Sequence, residues 1–137
     1  MADNNKGKDL KQVGLPAASK KLLRELVSDT DWFEEEGDAY KCAVGISLAR
    51  GWVDQGWQER PTADFDRAWR AVLLDSDGSL KKLIKIFAPE CDDMPYRYSE
   101  WAAVAGINFL HEELRNKRRK LGDVLELQSS ELKDISR

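Results

Sequence analysis

The stretch AYKCAVGISLAR, residues 39–50, is apolar on almost every side of a helix, through Tyr40, Cys42, Ala43, Val44, Ile46, Leu48 and Ala49. A helix patterned in this way is buried with neighbours all round, so other helices must surround it. Cys42, Gly45 and Ala49 form a small-residue seam at helical spacing along which a second helix can approach. Gly51 is suited to the left-handed residue that ends the helix. Ahead of it, Gly37-Asp38 reads as a turn followed by an N-cap.

Working outward toward the N-terminus, Pro16 suits the first turn of a helix over 16–28, where Leu22, Leu23, Leu26 and Val27 form an apolar stripe opposite Lys20, Lys21 and Glu25. Residues 10–15 fit a short extended arm, kept short by Gly14 and Pro16. Residues 1–9 are polar, offer nothing to bury, and are expected to be a disordered tail. On the other side, residues 51–61 read as a connection whose Trp52 and Trp57 pack back onto the domain. Phe65, Ala68, Trp69, Val72 and Leu73 then recur at i, i+3, i+4, i+7 and i+8, which predicts a third helix capped by Thr62 or Asp64. Ser79 caps a fourth, with Leu80, Leu83, Ile84 and Phe87 inward, Lys81, Lys82 and Lys85 outward, and Pro89 at its end. A long last helix runs over 97–117, rich in small residues at Ala102, Ala103, Ala105 and Gly106.

The expected architecture is therefore all-α: one domain of about five helices over 10–122, a flexible tail over 1–9 and a frayed amphipathic segment over 123–137. Its core is expected to hold Leu22, Leu26, Tyr40, Val44, Ile46, Leu48, Trp69, Leu73, Leu83, Phe87, Trp101 and Ala105. A chain of 137 residues needs no disulfide or metal to close such a core. Five Trp residues are many for that length and should anchor it. No apolar run reaches the ~20 residues of a membrane span. Cys42 and Cys91 form no C-x-x-C pair and the N-terminus has no apolar leader region, so a cytoplasmic protein without a membrane partner is expected.

The residues that carry chemistry are few. His111 is the sole histidine; in HEEL it lacks the second His of a zinc helix, and a general-base role assisted by Glu112 is weaker than that of a polar helix position. Cys42 lies on the most apolar helix, with Lys41 beside it in the sequence, Cys91 has no base within a turn, and both are expected to be inert thiols. Asp75-Ser76-Asp77-Gly78 begins like a calcium loop, but its Gly comes two positions early and Ile86 stands where the closing Glu belongs; an interhelical turn fits better. Glu90, Asp92 and Asp93 lie in an acidic loop without other ligand types. No phosphate-cradling glycine loop is present. No catalytic residue, cofactor or metal is expected, and the chain reads as a non-enzyme.

Charge is segmented instead. Net charge is −3, yet residues 29–38 hold six acids and no base, and residues 115–120 hold five bases and no acid. The acidic stretch embeds Trp32 and Phe33 among Glu34, Glu35 and Glu36. The basic run comprises Arg115, Lys117, Arg118, Arg119 and Lys120, and these ten residues are the candidate interaction sites. The two runs suit complementary protein surfaces or one another within the fold. Cations at the end of the last helix also complement its dipole and pair with Glu112 and Glu113. A protein partner is expected, with DNA as the alternative if the bases converge on one face.

The segment GDAYKCAVGISLARG, residues 37–51, resembles a stretch of small helical accessory proteins encoded beside bacterial DNA-phosphorothioation and defence genes, matched at Asp38, Tyr40, Ala43 and Gly51. That resemblance implies an accessory role around DNA modification or defence. Residues 10–50 also permit a ribbon-helix-helix arrangement, an arm followed by two helices, in which the arm of a dimer reads DNA. The expected function is a non-catalytic interaction or adaptor subunit, with a DNA-binding module as the alternative.

Overall fold

The computed structural model describes residues 9–125. The expectations for residues 1–8 and 126–137 lie outside the described residues. In chain order the elements are β1 (Gln12–Pro16), α1 (Ala17–Ser28), α2 (Glu36–Arg50), β2 (Phe65–Arg70), α3 (Ala71–Leu74), α4 (Ser79–Phe87) and α5 (Pro95–Leu110). Short 3₁₀ turns lie at Trp57–Glu59 and Pro89–Cys91, and α5 continues as a π-helix over His111–Asn116. The fold is mostly helical but not purely so. The third predicted helix is replaced by a strand, and β1 and β2 pair as an antiparallel ribbon.

The central helix is as its sequence implies. Seven residues of α2, among them Tyr40, Ala43, Val44, Ile46 and Leu48, are buried, and Gly51 caps it in the left-handed conformation at φ 65°. It begins at Glu36, two residues before the expected cap, with Glu36 and Asp38 in a first turn where acids oppose the helix dipole favourably. Its main neighbour is α5. The close approach is not on the Cys42-Gly45-Ala49 seam, since a Cβ on Gly45 would meet nothing; it is at Gly106 of α5, where a Cβ would stand 2.1 Å from the Ala43 carbonyl oxygen. Trp52 packs on Phe109 and Trp57 on Tyr98, each pair of rings 5.2 Å apart, so the connection after α2 folds back as expected.

The ribbon corrects the reading of residues 65–74. Phe65, Arg67 and Trp69 are half-buried while Asp66, Ala68 and Arg70 are exposed, the alternation of a strand with one covered face. The apolar spacing also satisfied a helix because Arg67, an inward-facing charge, hides the period of two. Val13 pairs with Trp69 and Leu15 with Asp66, with a register shift between them. Gly14 sits at that shift, and a Cβ there would lie 2.0 Å from the Asp66 carbonyl oxygen. Because β1 pairs within its own chain and Val13, Gly14 and Leu15 are buried, its geometry is not that of an arm presented to a dimer and to DNA.

Two carboxylates from distant parts of the chain organise helix starts. Asp9, assigned by sequence to the tail, accepts hydrogen bonds from the backbone N–H groups of Tyr96 (2.8 Å) and Arg97 (3.0 Å) in the first turn of α5. Asp75, buried in the turn before α4, accepts from the N–H groups of Leu80 (2.9 Å) and Lys81 (3.0 Å). Leu23, Leu26, Tyr40, Val44, Ile84, Ile107 and Leu110 are among the fully buried side chains, and Val124 of the short helix over 121–125 is also buried. Leu22, Trp69 and Trp101 pack on the core from its margin, and Ala105 is half-buried. Leu73, Leu83 and Phe87, expected inside, face solvent, a displacement that shapes the candidate site.

Candidate interaction surface

The exposed apolar side chains are concentrated rather than scattered. Among the described residues, five of the seven large hydrophobic side chains that face solvent belong to α3 and α4: Val72, Leu73, Leu83, Ile86 and Phe87. Ile86 is 73% exposed, Leu73 69% and Phe87 57%, values foreign to a core position. The cause is local. α4 buries Leu80 and Ile84 against the domain, and Leu83, Ile86 and Phe87 continue its apolar face round the helix, where no described residue buries them. Four-residue α3 buries only Ala71 and leaves Val72 and Leu73 outward. Lys81, Lys82 and Lys85 share the exposed part of α4.

Beside α3 an open groove of about 740 Å³ runs between the ribbon and the start of α5, with Lys11, Arg67, Arg70, Val72 and Tyr96 on its walls. Tyr96 joins the groove to α4: its hydroxyl donates to Asp75 Oδ2 (2.9 Å), the carboxylate that also caps α4. Burial and that carboxylate push the Tyr96 phenol up to about 12, so it remains a neutral donor at physiological pH.

Beneath the groove lies a buried ion pair that the sequence reading missed. Glu100 is fully buried in α5, and Arg67 reaches it from β2 with Nε 3.0 Å from Oε2 and Nη2 3.1 Å from Oε1. The Gly14 N–H donates to Oε2 at 2.9 Å. Both strands are thereby fastened to α5 through one carboxylate. Burial raises the Glu100 pKa above the ordinary carboxylate value, opposed by the Arg67 guanidinium and the Gly14 N–H. The available signal was a single acid inside the apolar run from Tyr98 to Ile107.

The charged runs are partly engaged within the chain. Arg115 Nε lies 3.2 Å from Asp29 Oδ2 and 3.9 Å from Glu25 Oε1, so the basic run does meet the acidic stretch inside the fold. Arg119 Nη1 donates to Glu113 Oε1 at 3.1 Å, and Lys117 Nζ stands 3.3 Å from Glu113 Oε2. Arg118, at φ 54°, and Lys120 are exposed. Phe33 is buried, Trp32 is exposed, Glu34 and Glu35 are exposed, and Glu36 is half-buried in the first turn of α2. The ten sequence candidates therefore divide into one core residue, Phe33, three residues in internal ion pairs, Arg115, Lys117 and Arg119, and six with no ion pair among the described residues.

The weighed chemical candidates sit in structural surroundings. His111 is buried with Nε2 2.8 Å from Glu25 Oε1, whereas Glu112 is exposed and bonded to Asn116. Burial raises the pKa of both thiols, Cys42 to about 11. Asp75 and Asp77 bond to backbone N–H groups of α4. Among the described residues no three His, Cys, Asp or Glu side chains are grouped to hold a metal, and no helix is long and apolar enough to cross a membrane. Comparison with family models, with curated proteins and with solved structures finds no match.

Proposed function

We propose that this chain is a non-catalytic protein-interaction subunit and that it docks its partner on the face formed by α3 and α4. One observation carries the reading: Val72 and Leu73 on α3 and Leu83, Ile86 and Phe87 on α4, two helices that follow one another in the chain, are all exposed. Concentrated apolar exposure lowers solubility and is kept where a partner covers it. A binding role rather than turnover is supported by the positions of His111, Cys42 and Cys91, each tied into packing or an internal pair. The likeness of residues 37–51 to accessory proteins of DNA modification and defence supplies a setting for the proposal. In this fold Tyr40, Ala43 and Gly51 serve the packing and termination of α2, so that likeness concerns a helix and not a site.

DNA binding is the second reading, favoured by one observation: Lys11, Arg70, Lys81, Lys82 and Lys85 are exposed and form no ion pair among the described residues. A photo-crosslinking residue at position 86, with one at position 21 on α1 as the control, tests the docking reading in the native host. A discrete protein adduct from position 86 and none from position 21 is expected. Absence of an adduct at 86 overturns it. Duplex DNA binding at physiological salt, lost when Lys81, Lys82 and Lys85 become Gln, would put the second reading in its place.

A further inference from the structure

We infer that the groove between the ribbon and the start of α5 is a binding site for a small organic anion, a carboxylate carried on an apolar body. Its volume of about 740 Å³ is that of a small-molecule site, and a bare anion such as acetate would leave most of it empty. Every charged side chain on its walls is a cation: Lys11, Arg67 and Arg70. Leu10, Ala71 and Val72 supply the apolar part of the wall. The strand pairing brings two of the cations together. Gln12 of β1 stands opposite Arg70 of β2, and the Ala71 N–H donates to the Lys11 carbonyl at 2.9 Å, so Lys11 and Arg70 are diagonal neighbours across the end of the ribbon. Neither forms an ion pair among the described residues. A concavity lined by one sign of charge concentrates the opposite sign within it.

The third cation is held in a fixed orientation. Nε and Nη2 of Arg67 bond to Glu100 and Thr62, which leaves Nη1 without a hydrogen bond among the described residues. The buried Glu100 carboxylate fixes the guanidinium plane and balances its charge, so Lys11 and Arg70 supply the net attraction while Arg67 adds an oriented donor. Tyr96 gives its hydroxyl proton to Asp75 and therefore offers a ligand the surface of its ring. The nearest carboxylates are Asp9 and Asp75, and neither lines the groove. Asp9 accepts from the N–H groups of Leu10, Tyr96 and Arg97, and Asp75 from those of Leu80 and Lys81, so both negative charges are engaged at helix starts. The phosphates of DNA would be drawn to the same cations, but they bring no apolar body to cover Leu10 and Val72. Of the docking face on α3 and α4 only Val72 also lines the groove, and the ligand site stands whether or not that face receives a partner.

The test titrates the full, isotope-labelled chain with phenylbutyrate, with its uncharged amide and with acetate, and follows the backbone amides by NMR. Phenylbutyrate should produce saturable shifts at residues 10–12, 70–72 and 96. It should bind about tenfold or more tightly than either the amide, which lacks the charge, or acetate, which lacks the apolar body. Rising salt should weaken it. Both cations are exposed, so Lys11→Gln/Arg70→Gln should leave circular dichroism unchanged while weakening phenylbutyrate about tenfold or more and removing its advantage over the amide. Absence of a saturable shift at millimolar phenylbutyrate overturns the assignment, as does equal affinity for the amide or for acetate. Shifts centred on residues 83–87, or undiminished binding by the double variant, place the ligand elsewhere and overturn it too. A DNA duplex that displaces phenylbutyrate at physiological salt would assign the cations to nucleic acid instead.

Discussion

Replacing Glu100 with Ala should be among the most damaging single changes available to this protein. The side chain is fully buried and receives three hydrogen bonds, two from Arg67 and one from the Gly14 N–H. Its removal leaves a guanidinium facing a void and a strand N–H without an acceptor. Breaking one side of a buried pair costs about 3–5 kcal/mol. The Arg67 side chain is 30% exposed and keeps its bond to Thr62, so it can rehydrate in part and the lower end of that range applies. Urea unfolding followed by far-UV circular dichroism should show a loss of about 3 kcal/mol, and thermal melting a fall of roughly 10 °C for a chain of this size. Glu100→Gln keeps one acceptor and should cost less. A double-mutant cycle with Arg67→Ala isolates the pair, and a loss below about 1 kcal/mol for Glu100→Ala would refute the claim that this carboxylate fastens the ribbon to α5.

The same residue fixes a pH dependence. Its folded pKa is raised, chiefly by burial, so the folded state holds the proton more tightly than the unfolded chain does. The resulting stabilisation is fully present below the unfolded carboxylate pKa and is lost as pH rises through the folded value. Across that window the native protein should therefore lose stability relative to Glu100→Gln, which has no proton to release.

Gly106→Ala should destabilise by about 1–3 kcal/mol in the same unfolding assay, because its Cβ would meet the Ala43 carbonyl of α2 and the helices must part. Asp9→Ala should cost about 0.5–2 kcal/mol by uncapping α5, and Asp9→Asn less, since the amide oxygen can still accept one bond. The Cys42 thiol, pushed up to about 11, should react with a disulfide reagent at neutral pH far more slowly than a free thiol and reach the ordinary rate on unfolding. Ile84→Ala should cost about 2–5 kcal/mol, whereas Ile86→Ala two positions away should cost about 1 kcal/mol or less.

What was legible in the sequence followed from local periodicity. The all-round apolar pattern of α2, the Gly51 stop and the long last helix all report contacts within a few turns of the residues that make them, whereas the close approach expected along Cys42, Gly45 and Ala49 lies at Gly106 instead. The strand at Phe65–Arg70 was hidden because its period of two requires Arg67 to count as inward, and the reason for that orientation is Glu100, 33 residues further on. The capping of α5 by Asp9 was hidden for the same reason at greater range, since a polar residue in a polar segment gives no sign that it will close a helix 87 residues away. The meeting of Arg115 with Asp29 was legible only as one option among several, because opposite charges identify who may pair and not who does.

The displaced core assignments make the strongest argument about function. Leu83, Phe87 and Leu73 were expected inside because their spacing fits an apolar stripe, and the spacing is real; what fails is the supply of surface to cover it. α4 has a broad apolar face, and the domain covers the part of it through Leu80 and Ile84. A helix that only had to close this fold would need that part alone, with polar residues at 83, 86 and 87. The uncovered part contributes little to folding, as the contrast between Ile84 and Ile86 should show, and it costs solubility. The proposed docking would account for its retention. Because the two parts share a helix but not a neighbour, substitutions at 86 and 87 can remove partner binding while leaving the fold intact, so the docking face can be tested separately from the core.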